Sequence, residues 1–209
     1  MKPEALVIGA GGHARVVGAS LRFLGIDIAA FFDPGLRGGG KVEIAETISG
    51  APVIGGLDEL ERFSADRYDA YIALGDNAER KARHEALRTA GYATPALVHP
   101  GSRLNFGVRI GEASCVCMGA NLAAEVRIGA GTIVNTGALV DHECDIGAFV
   151  HLAPGVAIAG RVRVGEGSFV GMGARVADGL SIGPGSIIGA GSVVLKDVPE
   201  GTKVLGVYH

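Results

Sequence analysis

The chain has 209 residues, 48% of them hydrophobic, enough for one large core or two modest ones. A formal net charge of −3 excludes the basic footprint of a nucleic-acid binder. No run approaches the ~18 unbroken apolar residues that a membrane span needs.

Glycine is the outlier at 35 residues. It lacks the three-residue period of collagen, so it marks tight corners between short strands. Glu4 and the glycines Gly9, Gly11 and Gly12 interrupt any apolar leader segment. The three cysteines, Cys115, Cys117 and Cys144, are odd in number and lack metal-finger spacing. That fits a protein of the reducing cytoplasm.

Residues 5–10 form a short apolar run ending in glycine, the pattern of a buried parallel strand. The turn Gly9-Ala-Gly-Gly-His-Ala14 follows, and residues 15–24 read as a helix stopped by Gly25. A second strand is expected over 28–32, ending in the Asp33-Pro34 turn, and a third over 52–54. Residues 57–63 suggest a short helix and 68–74 a strand. A helix over 78–89 has Asn77 as its expected N-cap and Gly91 as its stop. Strands alternating with helices predict a small α/β domain over residues 1–97.

The glycine turn fits G-x-G-x-x-A, with Asp33 about 20 residues further on, close to the fingerprint that seats a pyrophosphate on a helix N-terminus. The domain is about half of a full dinucleotide fold, which suits a nucleotide-sugar as well as NAD. A glycine turn that merely lets strand and helix pack closely is the competing reading. His13 is placed to donate to a phosphate or a sugar hydroxyl.

From residue 98 the sequence keeps a strict period of six. Every sixth residue from Val98 to Val194 is Val, Ile or Leu, 17 in succession. A period of 18 overlies it: Ile110-Gly111, Ile128-Gly129, Ile146-Gly147, Val164-Gly165 and Ile182-Gly183. Three hexapeptides per coil predict a left-handed parallel β-helix of triangular section over residues 98–209, five to six coils long. The phase turns Cys144 inward, which excludes it as a nucleophile, and turns Cys115 and Cys117 outward toward solvent or an interface.

Chemistry concentrates in Asn135-Thr-Gly-Ala-Leu-Val-Asp-His-Glu-Cys-Asp145 and His151-Leu-Ala-Pro-Gly155. Asp141, Glu143 and Asp145 supply His142 with the acidic partners that fix a histidine tautomer. His151 follows nine residues later, about half a coil. The two histidines of one chain are therefore expected to lie apart, converging only across a subunit boundary, as in a trimer. The same spacing denies the close histidine pair that a zinc site needs.

Nearly the whole chain resembles the sugar acyltransferases of the sialic-acid O-acetyltransferase family, which includes enzymes acting on nucleotide-linked 4-amino sugars. The resemblance rests on Gly9-Ala-Gly-Gly-His-Ala14, on Ala73-Leu-Gly-Asp-Asn77, and on residues 135–160 around His142-Glu143-Cys144. It implies a homotrimer with acetyl-CoA between adjacent prisms and no metal. His142 would be the general base and Glu143 its orienting partner, with Asn135 and His151 lining the acetyl or sugar pocket. The Gly160 N–H would serve as oxyanion donor, and Met172 and Ala190 would border the pantetheine arm. The α/β domain would hold the nucleotide-sugar through Gly11, Gly12, His13, Asp33, Gly75 and Asn77. Residues 35–50 would carry base specificity. The family's closing Gly-Val-Pro-Ala and basic residue are replaced by Gly206-Val-Tyr-His209, which bears on contacts to the CoA adenine and phosphates. The function expected is N-acetylation of a nucleotide-linked amino sugar. The alternatives are O-acetylation of a sialic acid and a non-catalytic nucleotide-binding scaffold.

Overall fold

The first elements in the computed structural model, which describes residues 3–33 and 47–209, are β1 (Glu4–Ile8), α1 (Gly12–Phe23) and β2 (Ile28–Phe32). A hairpin of β3 (Thr47–Ile48) and β4 (Ala51–Pro52) follows, then β5 (Tyr68–Ile72) and α2 (Asn77–Thr89). β1 lies between β2 and β5 in a parallel sheet of order β2-β1-β5. Its apolar run is covered on both faces, so Ala5, Leu6, Val7 and Ile8 have no exposed surface.

Several boundaries depart from the sequence pattern. Helix α1 starts at Gly12 rather than near residue 15, because Gly9, at φ 126°, makes the sharp strand-to-helix turn and the chain enters the helix directly. The expected third strand becomes the antiparallel hairpin. Beyond the hairpin the chain lies along β2 through a parallel bridge between Val53 and Phe31, with the Ile54 N–H donating to the Phe31 carbonyl at 3.0 Å and the Asp33 N–H to the Gly55 carbonyl at 2.9 Å. A 3₁₀ turn, Leu57–Arg62, follows. Asp76, not Asn77, caps α2, its Oδ1 accepting from the Glu79 N–H at 2.8 Å.

The chain divides into two compact units, Met1–Leu97 and Val98–His209. The second is a left-handed parallel β-helix of two-residue strands, β6 (Leu97–Val98) through β24 (Val207–Tyr208). They form three parallel faces of seven, seven and five strands. The first face starts with Leu97–Val98, the second with Arg103–Leu104 and the third with Arg109–Ile110. Of the 17 period-six aliphatics, only Val98, Leu104 and Ile110 are not buried. All three belong to the first coil, which has a neighbouring coil on one side only.

The period of 18 has a steric cause. A Cβ on Gly129 would sit 2.4 Å from the Ala148 nitrogen, and one on Gly165 the same distance from that of Pro184. At this corner successive coils touch backbone to backbone. Buried hydroxyls run beside it: Thr132 Oγ1 donates to the Gly147 carbonyl at 2.7 Å and accepts from the Val150 N–H at 3.1 Å. Ser114 and Ser168 repeat the pattern.

Cys115 and Cys117 correct the expectation of solvent-facing side chains. Both are buried, at 3% and 0% exposure, with their sulfurs 3.8 Å apart. Phase sets a side chain's direction from the prism axis but not what covers that face. Ile133, next to Cys115 in the same outward row, is also 1% exposed. Among the described residues no helix is long and apolar enough to cross a membrane.

Candidate active site

His142 and Glu143 occupy the turn between Leu139–Val140 on the second face and Asp145–Ile146 on the third. Three hydrogen bonds pin the main chain of this turn. Arg161 N–H donates to the His142 carbonyl at 2.9 Å, Glu143 N–H to the Ala124 carbonyl at 2.9 Å, and His142 N–H to Asp141 Oδ1 at 2.7 Å. Asp141 therefore holds the main chain, and Glu143 meets the ring. His142 Nδ1 lies 3.0 Å from Glu143 Oε2. The carboxylate accepts from Nδ1–H, which makes Nε2 the basic nitrogen.

Glu143 holds φ 58°, a left-handed conformation that costs a non-glycine residue about 1–2 kcal/mol. Glu125 and Arg161, one coil to either side, do the same at 61° and 57°. Ala113 and Phe149 hold the same conformation at another corner, so the left-handed turn belongs to the coil geometry.

One coil after His142 comes Gly160, and one coil later Asp178. A Cβ on Gly160 would lie 2.6 Å from both Cε1 and Nε2 of His142 and 3.0 Å from Asp178 Oδ1. Only glycine admits the ring here. Gly160 is buried, and its N–H donates to no acceptor among the described residues. Asp178 is held by an ion pair with Arg161. Cys144, directly after the pair, is 1% exposed and donates through Sγ to the Ala159 carbonyl at 3.1 Å. Burial, helped by the nearby Asp141 and Asp178 carboxylates, pushes its thiol up to about 11. It stays protonated and inert at neutral pH.

A second cluster forms where the first face meets the second. Asn135 Oδ1 accepts from the Thr136 N–H at 2.8 Å, which directs Nδ2 to His151 Nε2 at 3.2 Å. The His151 ring packs edge-on against Phe169, with centroids 5.2 Å apart. Met172, 62% exposed, and Ala190 stack one coil apart on this same edge, joined by the Gly191 N–H to Met172 carbonyl bond. Asn135, His151, Met172 and Ala190 thus share one edge, while His142, Glu143 and Gly160 share another.

In the α/β unit the six candidates gather at the carboxyl ends of the strands. Gly9 N–H donates to the Phe32 carbonyl and Ala73 N–H to the Ile8 carbonyl, which aligns the glycine turn, Asp33 and the loop to Asn77 along one sheet edge. The glycines divide by role. A Cβ on Gly9 would lie 2.6 Å from the Ala73 carbonyl oxygen, so packing demands that glycine. A Cβ on Gly11, which caps α1, on Gly12 or on Gly75 would meet nothing within 4 Å among the described residues. Among the described residues, nothing crowds the α1 N-terminus at Gly11 and Gly12, the arrangement a phosphate uses. Helix α1 has neither a side-chain cap nor an acidic residue in its first turn. His13 is half-buried at the helix start. Of residues 35–50, those up to 46 lie outside the described residues.

Among the described residues no group of three or more His, Cys, Asp or Glu side chains is placed to hold a metal ion. Sequence reasoning missed Asp178 and Arg161, although both stand at 18-residue steps from Gly160 and Glu143.

Comparison with known proteins follows the same division. Residues 4–87 match the PglD N-terminal domain family, and 161–196 the bacterial transferase hexapeptide (six repeats) family. A search of curated sequences returns no match. Among solved structures, the acetyltransferase domain of PglB from Neisseria gonorrhoeae FA1090 is 36% identical. The alignment covers 98% of this chain and 97% of that one, with a TM-score of 0.90. A histidine-to-alanine mutant of GDP-perosamine N-acetyl transferase from Caulobacter crescentus, in complex with CoA and GDP-perosamine, is 37% identical over 99% and 95%, also with a TM-score of 0.90. WeeI from Acinetobacter baumannii AYE is 29% identical over 98% and 97%, with a TM-score of 0.87. The hexapeptide coils and these matches place the chain among the acyltransferases of the β-helix class. The chain belongs to the sugar acyltransferases within it, joining a PglD-type N-terminal domain to the hexapeptide prism.

Proposed function

We propose that the protein transfers the acetyl group of acetyl-CoA to the amino nitrogen of a nucleotide-linked amino sugar, a 4-amino sugar, with His142 as general base. One observation carries the reading: Glu143 holds Nδ1 of His142 while Nε2 points over the only residue type, glycine, that leaves room for it. In the reaction the sugar nitrogen attacks the thioester carbonyl carbon and Nε2 takes the nitrogen's proton. The Gly160 N–H donates to the oxyanion of the tetrahedral intermediate. The C–S bond then breaks and the imidazolium returns its proton to the departing CoA thiolate, so Glu143 is needed while the ring is charged. General-base catalysis contributes about 10²–10⁴-fold and one oxyanion donor about 10²–10³-fold. No acyl-enzyme is required, in keeping with an inert Cys144.

The α/β unit would hold the nucleotide through Gly11, Gly12, His13, Asp33, Gly75 and Asn77. His151, Asn135, Met172 and Ala190 would line the acetyl-CoA arm. Because these residues occupy a different prism edge from His142, a complete site draws one edge from each of two subunits, and a homotrimer provides three such sites. Substrates of this kind imply a cytoplasmic reaction. The named relatives support an N-acetyltransferase over the scaffold alternative, since two of them are described as acetyltransferases of matching length.

The test is thiol release from acetyl-CoA against a panel of UDP-, GDP- and dTDP-linked 4-amino sugars, with sialic acid included. Release with an amino sugar, and an N-acetyl product by mass and NMR, is expected. Release with sialic acid alone would replace this reading with O-acetylation.

A further inference from the structure

Arg80, in the first turn of α2, has no exposed surface. Removing a guanidinium from water is costly unless its donors are well used. Here Nη1 donates to the carbonyls of Leu74, Gly75 and Asp76 at 3.1, 3.2 and 3.3 Å, and Nη2 donates to Asn77 Oδ1 at 2.7 Å. Four consecutive residues of one loop are thus tied to a single planar group. Helix α2 does not need this clamp to begin, because Asp76 already caps it through Glu79. The loop it ties leads out of the sheet edge where Gly9 packs on Ala73 and Leu74.

We infer that Arg80 is a positioning residue for the nucleotide-sugar pocket, which rests on the function proposed above. It holds the 74–77 loop in one shape and fixes the Asn77 carboxamide through its oxygen. The loop and the carboxamide are thereby presented to the nucleotide-sugar in one fixed geometry. Lysine at position 80 keeps the charge but lacks the planar fork that spans four acceptors.

The experiment pairs Arg80→Lys with Asn77→Asp. Amide hydrogen exchange is read on the protein without substrate, and steady-state kinetics on the acceptor identified by the panel. Arg80→Lys is expected to speed exchange at residues 74–78 alone and to raise KM for the nucleotide-sugar about tenfold, the worth of one well-placed hydrogen bond. KM for acetyl-CoA and kcat should move less than twofold. Asn77→Asp still accepts from Arg80 and should keep slow exchange, yet it replaces the carboxamide proposed to meet the nucleotide-sugar and raises the same KM. Wild-type exchange in Arg80→Lys, exchange rising throughout the α/β unit, or proportional changes in both KM values would overturn the inference. If no acceptor in the panel reacts, the proposed function falls, and the exchange data still decide whether Arg80 orders the loop.

Discussion

Alanine at position 160 would place a methyl carbon 2.6 Å from Cε1 and Nε2 of His142. Ordinary contact is about 3.5–4.0 Å, so the ring must retreat by about 1 Å. It has room to do so, because the His142 side chain is 43% exposed and the backbone of Gly160 is not in the left-handed region. The fold therefore survives while the base moves off its line with Glu143. A displacement of about 1 Å costs about 10²-fold in rate. The assay is kcat with saturating acetyl-CoA and acceptor, beside a thermal unfolding curve. Expected is a loss of about 10²-fold with Tm within about 2 °C of wild type. Gly129→Ala is the contrast. Its Cβ meets the Ala148 backbone nitrogen at 2.4 Å, which cannot retreat, so stability should fall instead. Turnover within twofold of wild type in Gly160→Ala would refute the placement of Nε2 over this glycine.

The remaining predictions follow from strain, burial and packing. Glu143→Gly relieves the left-handed φ of 58° and should stabilise the fold by about 0.5–1 kcal/mol while lowering kcat at least about tenfold, read by chemical denaturation and turnover. Cys144 ionises near 9 when unfolded and at about 11 when folded. The unfolded chain therefore loses its proton first as pH rises, and this contribution to stability is whole below pH 9 and lost between 9 and 11. Cys144→Ala should flatten that loss in unfolding curves across the window and leave turnover at pH 7.5 unchanged. Ile146→Ala removes a fully buried side chain and should cost about 2–5 kcal/mol in the same denaturation assay.

The prism was legible because its cause is periodic. An aliphatic every six residues and a glycine every eighteen are direct records of coil-on-coil contact, and they also predicted Cys144 inside. Gly160 under His142 is one coil away and belongs to the same record. What escaped the pattern depends on single contacts. Asp76 and Asn77 are equally good caps, and the choice falls to Asp76 because Arg80 engages the Asn77 oxygen. The positive φ of Glu143 has no mark in its own residue type and shows only in its coil equivalents, Gly107 and Gly179. Cys115 and Cys117 show the limit of phase, which gives direction without coverage. Residues 52–54 reach β2 as expected, through Val53 and the Ile54 N–H, but the regular strand there is the short hairpin arm ending at Pro52.

The central claim is that His142 acts as the base and does not merely shape the pocket. The most direct test measures His142→Ala twice, for kcat with the preferred acceptor and for the Kd of CoA by calorimetry. A fall in kcat of about 10²–10⁴-fold with CoA affinity within about threefold of wild type is the predicted result. Turnover that persists near the wild-type level, or CoA affinity that collapses together with turnover, would contradict it.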